Sequence, residues 1–291
     1  MIPNLLSQLH PFAAVSLMLI LVVGIALTGQ WAIGRIFPRE ERRAHNELFG
    51  HAAQIVGVIN AVLLALIVFA VWTNYDRAKD VVSQESSLVV DIARDLEAAL
   101  TVHDSVLHEV QGYAELVVNT EWPNMKQGAP PDTANRRGFG PGWSALARAY
   151  DMVLRSDTSK SAHPVVAEEL VRRFNLLFDA RRQRITYSTH GSLNGTIWGV
   201  VLAGGMLSIV CCWLLGYESR RMHVAGTTVV AASFALMFFL IISLEWPFRG
   251  PNQIPADQFC SAISNIHRQE NNERRRHQEG PLPDLPKCPR S

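Results

Sequence analysis

Few side chains in this sequence have the types and spacing that catalysis or metal binding requires. The chain contains no Gly-rich phosphate loop, no His-Glu-x-x-His motif, no Gly-x-Ser-x-Gly turn and no Cys pair at zinc-binding spacing. Among His103, Asp104, His108 and Glu109, a helix would place Asp104 and His108 on one face as half of a metal site. Because two ligands leave such a site incomplete, exposed polar residues are the favoured interpretation. The sequence predicts no enzyme, no cofactor and no metal ion.

Glu85 is the residue most strongly predicted to be a buried charge. It lies in a run, residues 81–117, in which apolar residues recur at steps of three or four. A buried carboxylate needs a cation. Arg181, Arg182 and Arg184 lie near the end of a later predicted helix, at about the same distance from an apolar segment as Glu85. Breaking a buried ion pair costs about 3 to 5 kcal/mol. A pair between Glu85 and these arginines is therefore expected to fasten two helices together.

Three other polar residues lie within or beside strongly apolar segments. Asn60 is the only strongly polar side chain in the middle of residues 52–73, where a polar group needs a partner. It is predicted to line a pore or to bond to another helix, and a bond within one protomer is favoured. Glu245 and Arg249 flank the end of the last apolar segment. They either mark a structural boundary, which is favoured, or ring a pore mouth.

The distribution of charge determines the class of protein. The 291 residues include 27 Lys and Arg and 26 Asp and Glu, so the net charge of +1 gives no argument for nucleic acid binding. Residues 1–34, 48–75, 185–217 and 222–244 contain no Asp, Glu, Lys or Arg. The surface helices of a soluble protein need a polar face. The chain is therefore predicted to be a membrane protein, with the lipid bilayer as a partner and no nucleic acid partner.

Four segments are long and apolar enough to cross a bilayer, which needs roughly 20 apolar residues for a core about 30 Å thick. They are residues 12–34, 52–73, 193–215 and 224–244. The predicted fold is all-α, a four-span helical membrane protein with a helical extramembrane bundle inserted between spans 2 and 3. The predicted parts are residues 1–73 with spans 1 and 2, residues 74–192 as the helical domain, residues 193–244 with spans 3 and 4, and residues 245–291 as a partly disordered tail.

The inserted domain is predicted to contain three helices. The periodic run 81–117 continues from span 2 without Gly or Pro until Gly112, which indicates one long helix that ends at Pro123. Further helices are predicted over residues 143–154 and 164–188. In the tail, three adjacent arginines and the prolines that follow predict disorder from residue 270 onward.

The cations near the spans indicate which side the domain occupies. The short loops carry Arg35, Arg39, Arg42, Arg43, Arg220 and Arg221, whereas residues 1–11 carry no cation. The positive-inside rule therefore favours cytoplasmic short loops and an extracytoplasmic helical domain. Cations beside the spans on the other side, among them Arg77 and Lys79, oppose this placement. In an oxidising space Cys260 and Cys288 could pair.

Several short motifs resemble those of a bacterial membrane family. They are the apolar run 61–72 followed by Tyr75, Gln84-Glu85, Glu121-Trp122-Pro123, Arg182 and Arg184 before span 3, and Glu245-Trp246-Pro247-Phe248-Arg249-Gly250. Over residues 35–259 they resemble the bestrophin-like domain family, a bacterial family of unknown function. The segment from Pro247 to Gly250 is the most specific, although this chain has Glu245-Trp246 where the family typically has Asp-Arg. The resemblance implies kinship with bestrophins, pentameric anion channels with four spans and a large cytoplasmic helical domain.

Two functional classes follow from these observations. The first is an oligomeric, bestrophin-like ion channel, which the resemblance and Asn60 favour and which would have inorganic ions and copies of itself as partners. The second is a non-conducting membrane sensor or scaffold whose helical domain binds a partner. The second class is favoured by the absence of a continuous polar stripe in the spans. In either case a multi-pass protein of the bacterial inner membrane is expected.

Overall fold

The structure is a computed structural model that describes residues 11–99, 103–132, 140–156 and 164–276. In these ranges every regular element is helical, which confirms the predicted all-α class. The elements in chain order are α1 Pro11–Ile36, α2 Arg39–Ala44, α3 Asn46–Ala99, α4 His103–Leu116, a π-helical turn Val117–Glu121, α5 Trp122–Gln127, α6 Pro141–Arg155, α7 Pro164–Thr189, α8 Gly195–Leu214, α9 Arg220–Glu245 and α10 Asp257–Arg276.

The helices form two compact units. The first, called the membrane unit, comprises residues 11–75, 191–246 and 250–252. The second, called the helical unit, comprises the described residues of 76–190, 247–249 and 253–276. The long helix α3 contributes its first part to the membrane unit and its remainder to the helical unit.

Four helices of the structure are long and apolar enough to cross a membrane, in agreement with the four predicted spans. They are α1, α3, α8 and α9. Two of them begin at capping side chains: Asn194 Oδ1 accepts a hydrogen bond from the Ile197 amide at 2.9 Å, and Ser219 caps α9. These caps explain why two spans begin at polar residues.

The spans of the membrane unit pack through two apolar clusters. One joins α1, α8 and α9 through residues that include Ala26, Trp213 and Ala235. Trp213 is fixed there because its Nε1 donates to the Ala26 carbonyl at 2.8 Å. Its ring packs directly against Gly29, where a Cβ would lie only 2.1 Å from the ring. The other cluster joins α3, α8 and α9 through Leu64, Val71, Val201, Phe238, Ile241 and Leu244.

The second span packs along one narrow stripe. Between residues 52 and 73 only Asn60, Leu64 and Val71 are buried. The opposite face of the helix consists of large apolar side chains that are between 56% and 71% exposed. We call this face the α3 stripe; its residues are Ile55, Ile59, Val62, Leu66 and Phe69.

The chain remains helical past Pro123, so the prediction that a helix ends at this proline is wrong. The reason lies in the local backbone. The π-helical turn Val117–Glu121 leads directly into α5, and Pro123 lies in the first turn of α5, where a missing amide donor costs little. The chain then leaves α5 at Gly128, whose φ of 76° is a left-handed conformation that glycine adopts readily.

The prediction of disorder from residue 270 onward needs correction for residues 270–276, because α10 continues as far as Arg276. Its buried face follows helical spacing and consists of Phe259, Ala262, Ile263 and Ile266. Phe259 and Phe248 contact Trp122, with ring centroids 5.7 and 5.6 Å apart, and Trp122 Nε1 donates to the Ile254 carbonyl at 3.1 Å. The first half of α10, through Ile266, therefore belongs to the core of the helical unit. Residues 277–291, including Cys288, lie outside the described residues.

Candidate functional site

Arg184 is completely buried in the helical unit and is bound by two carboxylates. Its Nε donates to Glu85 Oε2 at 2.6 Å, and its Nη2 donates to Glu85 Oε1 at 3.1 Å and to Glu121 Oε2 at 2.8 Å. The side chains of Arg184 and Glu85 are both 0% exposed. Glu85, on the apolar face of the run 81–117, thus has its carboxylate against an arginine of α7.

Arg181 lies one turn earlier on α7 and is buried in the same region. Its Nη2 donates to Glu121 Oε1 at 2.6 Å and to Asp132 Oδ2 at 2.5 Å. Its guanidinium carbon lies 5.0 Å from the centroid of the Trp143 ring. Glu121 therefore bridges two guanidiniums, and Asp132 is the second carboxylate that pairs with Arg181.

Arg182, which lies between these two arginines, does not join them. Its Nη2 pairs with Asp179 at 2.6 Å, and both side chains are more than half exposed. The reason is helical geometry, since residues three apart share a face whereas their neighbour points away. Of the three arginines predicted as partners of Glu85, the structure places Arg184 in direct contact, Arg181 nearby through Tyr113, and Arg182 outside.

The Tyr113 hydroxyl connects the two halves of this ion-pair network, defined here as Glu85, Glu121, Asp132, Arg181 and Arg184 together with Tyr113. The hydroxyl donates to Glu85 Oε1 and accepts a hydrogen bond from Arg181 Nη1 at 3.3 Å. Burial, reinforced by the Glu85 carboxylate, raises the pKa of Tyr113 far above its ordinary range. The phenol therefore stays neutral and provides a donor where three carboxylates face only two guanidiniums.

Two glycines make room for the network at the start of α6. A Cβ at Gly140 would lie 1.5 Å from Asp132 Oδ1. A Cβ at Gly142 would lie 2.4 Å from Arg181 Nη2 and 2.5 Å from Glu121 Oε1. The bare backbone of the Gly140–Gly142 segment thus packs directly on the charged groups.

Sequence reasoning did not assign Tyr113, Glu121 and Asp132 to this network. Tyr113 lies in the apolar run 81–117, where its hydroxyl gives no signal of its own, and Glu121 enters the sequence analysis only as part of the Glu121-Trp122-Pro123 motif. A usable signal was present for Glu121, since a helical step of three or four from Val117 and Val118 places it on their buried face. For Asp132 in a loop, no periodic signal exists.

The ion-pair network makes the stability of the helical unit depend on pH. Burial alone would raise the pKa of the Glu121 carboxyl, but Arg184 and Arg181 outweigh burial and hold this pKa below its ordinary value of 4.5. A depressed folded-state pKa stabilises the fold above the unfolded-state pKa, and the contribution is lost as pH falls through the folded-state value. We expect the melting temperature of the solubilised protein to decline below about pH 4.5, and Glu121→Gln to make that decline shallower. Asp151→Asn, an exposed control, should leave the profile unchanged, and an identical acid limb in Glu121→Gln would contradict the assignment.

Asn60 makes an interhelical hydrogen bond within the chain. Its Nδ2 donates to Ser208 Oγ of α8 at 3.0 Å, and Ser208 in turn donates to the Gly204 carbonyl at 3.1 Å. A Cβ at Gly204 would lie 2.3 Å from Asn60 Oδ1. Of the two predicted roles for Asn60, this geometry favours the bond between helices of one protomer.

Glu245 and Arg249 have separate partners. The buried Glu245 carboxylate accepts hydrogen bonds from Trp198 Nε1 at 3.0 and 3.1 Å. Arg249 Nη2 donates to the Ser188 carbonyl at 3.2 Å. These contacts fit the role of structural boundary that the sequence favoured.

The described residues include no group of three or more His, Cys, Asp or Glu side chains arranged to hold a metal ion. Asp104 and His108 are both exposed on α4. Glu109 instead accepts two hydrogen bonds from Arg148, at 2.9 and 2.7 Å. Glu109 thus forms an ion pair with Arg148.

Comparison with known proteins identifies the fold and the family. The structure is similar to crystal structures of variants of a bacterial bestrophin homologue from Klebsiella pneumoniae. One has a TM-score of 0.61 at 13% identity and is covered to 98%, against 88% of this chain. Another has a TM-score of 0.63 at 12% identity and is also covered to 98%, against 87% of this chain. No curated protein shows significant sequence similarity.

The sequence itself also matches a family model. The model is that of the bestrophin-like domain, and it covers residues 20–259, which include most of the first span, the other three spans and the whole ion-pair network. Together with the apolar helices, the match shows that the protein is a membrane protein. The chain belongs to the bestrophin-like domain family.

Proposed function

We propose that this protein forms a symmetric oligomer and conducts inorganic ions through a pore lined by the second span. The observation that carries the proposal is the α3 stripe. Its five large side chains lie opposite the buried Asn60, Leu64 and Val71 and contact no other helix of the unit closely enough to be buried. A span whose outer face is this extensive is suited to pack around an axis with copies of itself.

The chemistry of the α3 stripe favours an apolar constriction. Channels conduct through rings of polar groups or through hydrophobic constrictions that gate by dewetting. The α3 stripe contains no polar side chain, and Asn60 is directed to Ser208 instead. Membership of the bestrophin-like family supports the same proposal, because the structures it resembles are described as those of a bestrophin homologue.

A substitution on the α3 stripe tests the proposal. In reconstituted bilayers we expect Val62→Asn to increase the single-channel current several-fold, because an amide on an apolar constriction favours wetting. Val229→Asn on α9 is the matched control, since Val229 is exposed to a similar degree, 66% against 56% for Val62. The control should fold and leave the current unchanged.

A monomeric mass in native-like lipid, or the absence of current from folded wild-type protein, would contradict the channel. The non-conducting sensor or scaffold would then be the better account. Asn60→Leu tests whether Asn60 lines the pore. Because Asn60 is bonded to Ser208, we expect this variant to lower the melting temperature and to leave the ion preference nearly unchanged.

We also propose that the short loops face the cytoplasm. Six arginines in those loops support this placement. Two further cations beside the spans on the other side, Arg181 and Arg184, are buried against carboxylates in the folded unit.

Cysteine labelling in intact cells decides the side. Single cysteines are placed at Glu218 in a short loop and at Arg155 in the helical unit, whose side chains are 81% and 79% exposed. An impermeant reagent should label position 155 and spare position 218. The reverse pattern would give the cytoplasmic domain that the bestrophin resemblance implies.

A further inference from the structure

The membrane unit contains a polar cavity of about 470 Å³ at the end where the short loops lie. Its wall is formed by the last turns of α1, by α2, and by the first turn of α9 with the loop before it. The polar side chains that line it are Gln30, Arg35, Arg42, Tyr217, Arg220 and His223. Among the described residues, no Asp or Glu lines the cavity.

The described wall of the cavity therefore presents three guanidiniums and no carboxylate. The nearby carboxylate of Glu218 is bound instead to Arg43, at 2.6 Å, and neither residue lines the cavity. An excess of cations in a partly enclosed space attracts an anion, and arginine is suited to bind the oxygens of a phosphate group.

Two arginines of the cavity are held in place by the protein itself. Arg42 is 6% exposed, and its Nη1 donates to the Trp213 carbonyl at 2.9 Å. The Arg35 guanidinium lies 3.9 Å above the Trp31 ring. Gln30 is 8% exposed, and its Oε1 has no hydrogen-bond partner among the described residues. A buried amide without a partner is costly, and a ligand in the cavity would satisfy it.

The rest of the wall is apolar and belongs to the spans. Leu27 and Val224 line the cavity beside Trp31, whose ring is half exposed at the end of α1. Tryptophan at the end of a span marks the depth of the lipid headgroups. A ligand with a phosphate and an attached apolar part matches both kinds of wall.

We propose that this cavity binds the phosphate of an anionic phospholipid, with Arg35, Arg42 and Arg220 around the headgroup and Leu27 and Val224 beside its acyl chain. Basic pockets between spans recognise lipid headgroups in this way. Inorganic phosphate has the same charged group but gains nothing from the apolar wall. The proposal is independent of ion conduction, because it concerns the membrane unit of a single chain.

The test uses the full-length protein in nanodiscs of phosphatidylcholine with or without phosphatidylglycerol. After release from the discs, lipid retained by the protein is identified by native mass spectrometry. We expect phosphatidylglycerol to be retained in preference to phosphatidylcholine. Retention of both lipids in the proportion supplied would overturn the proposal.

Paired variants connect retention to the cavity. The double variant Arg35→Gln/Arg220→Gln should lower the preference for phosphatidylglycerol, by roughly fivefold per arginine removed. Arg43→Gln is the matched control, since it removes one cation of the same loops outside the cavity and should leave the preference intact. Gln30→Leu changes no charge and should still weaken retention. An equal loss in Arg43→Gln would show that loop charge alone attracts the lipid and would overturn the site.

A further arm distinguishes the source of the phosphate. Millimolar inorganic phosphate is added to the protein in phosphatidylcholine discs, and the melting temperature is compared with that in discs containing phosphatidylglycerol. Stabilisation by the lipid alone supports the proposal. Equal stabilisation by inorganic phosphate would assign the cavity to a free anion and overturn the lipid.

Discussion

Replacing Arg184 with Met should lower the free energy of unfolding of the helical unit by about 3 to 5 kcal/mol. The methionine retains much of the apolar volume but leaves the Glu85 carboxylate fully buried without its cation and removes one of two guanidiniums from Glu121. Thermal unfolding in detergent, followed by circular dichroism, measures the loss. Arg182→Met is the matched control two positions earlier on α7, and its exposed pair with Asp179 contributes at most about 1 kcal/mol.

A double-mutant cycle attributes this loss to the contact. Glu85→Gln alone should also destabilise the unit, because Arg184 then keeps only the Glu121 carboxylate as a charged partner. In the combined variant neither unpaired charge of the pair remains, so the loss should be smaller than the sum of the single losses by about 0.5 to 3 kcal/mol. Strictly additive losses would rule out a direct interaction between Glu85 and Arg184.

Gly142→Ala should destabilise the same unit by about 1 to 3 kcal/mol, although it adds only one methyl group. The added carbon would lie 2.4 Å from Arg181 Nη2 and 2.5 Å from Glu121 Oε1, so it would separate the strongest hydrogen bonds of Arg181. Both charged groups are buried, and neither can move into solvent. Chemical denaturation monitored by tryptophan fluorescence gives the change in unfolding free energy.

Gly112→Ala in α4 provides the contrasting control. Apart from the chain neighbours and the backbone of its own helix, no described atom lies within 4 Å of the position that its Cβ would take. Alanine favours the helical backbone over glycine by about 0.5 to 1 kcal/mol, so this variant should be slightly more stable than the wild type. A destabilisation of Gly142→Ala no larger than that of Gly112→Ala would show that the network tolerates the carbon and is less tightly packed than its distances indicate.

The sequence was most informative where one physical constraint acts on many residues. The spans were predicted because a bilayer excludes charge over about 20 consecutive positions, and α6 and α7 were predicted because their apolar steps repeat. Glu85 was placed beside the arginines by counting turns from the membrane. Counting turns could not tell whether Arg182 or Arg184 faces Glu85. That depends on how α7 is rotated about its own axis.

Features that depend on contacts between distant segments were not predictable in this way. The π-helical turn at Val117–Glu121 leads into the helix that contains Pro123, and no residue preference in the local sequence predicts such a turn. The helix α10 was missed because the charges of residues 270–276 outweighed the apolar spacing of residues 259–266. The apolar face of this helix is buried by packing against Trp122, which lies more than a hundred positions earlier in the chain.

The ion-pair network also constrains the order in which the chain can fold during synthesis. Glu85 and Arg184 are 99 residues apart, so the carboxylate emerges from the ribosome long before its cation exists. Until α7 has been made, Glu85 must remain hydrated, and burial of the seam around it would be opposed by the cost of desolvating the charge. The ring of Phe259, which lies 5.8 Å from the Arg184 guanidinium, is added later still. A nascent chain that stalls before α10 would therefore expose both Trp122 and the network to water, and such intermediates are the ones that quality-control proteases recognise.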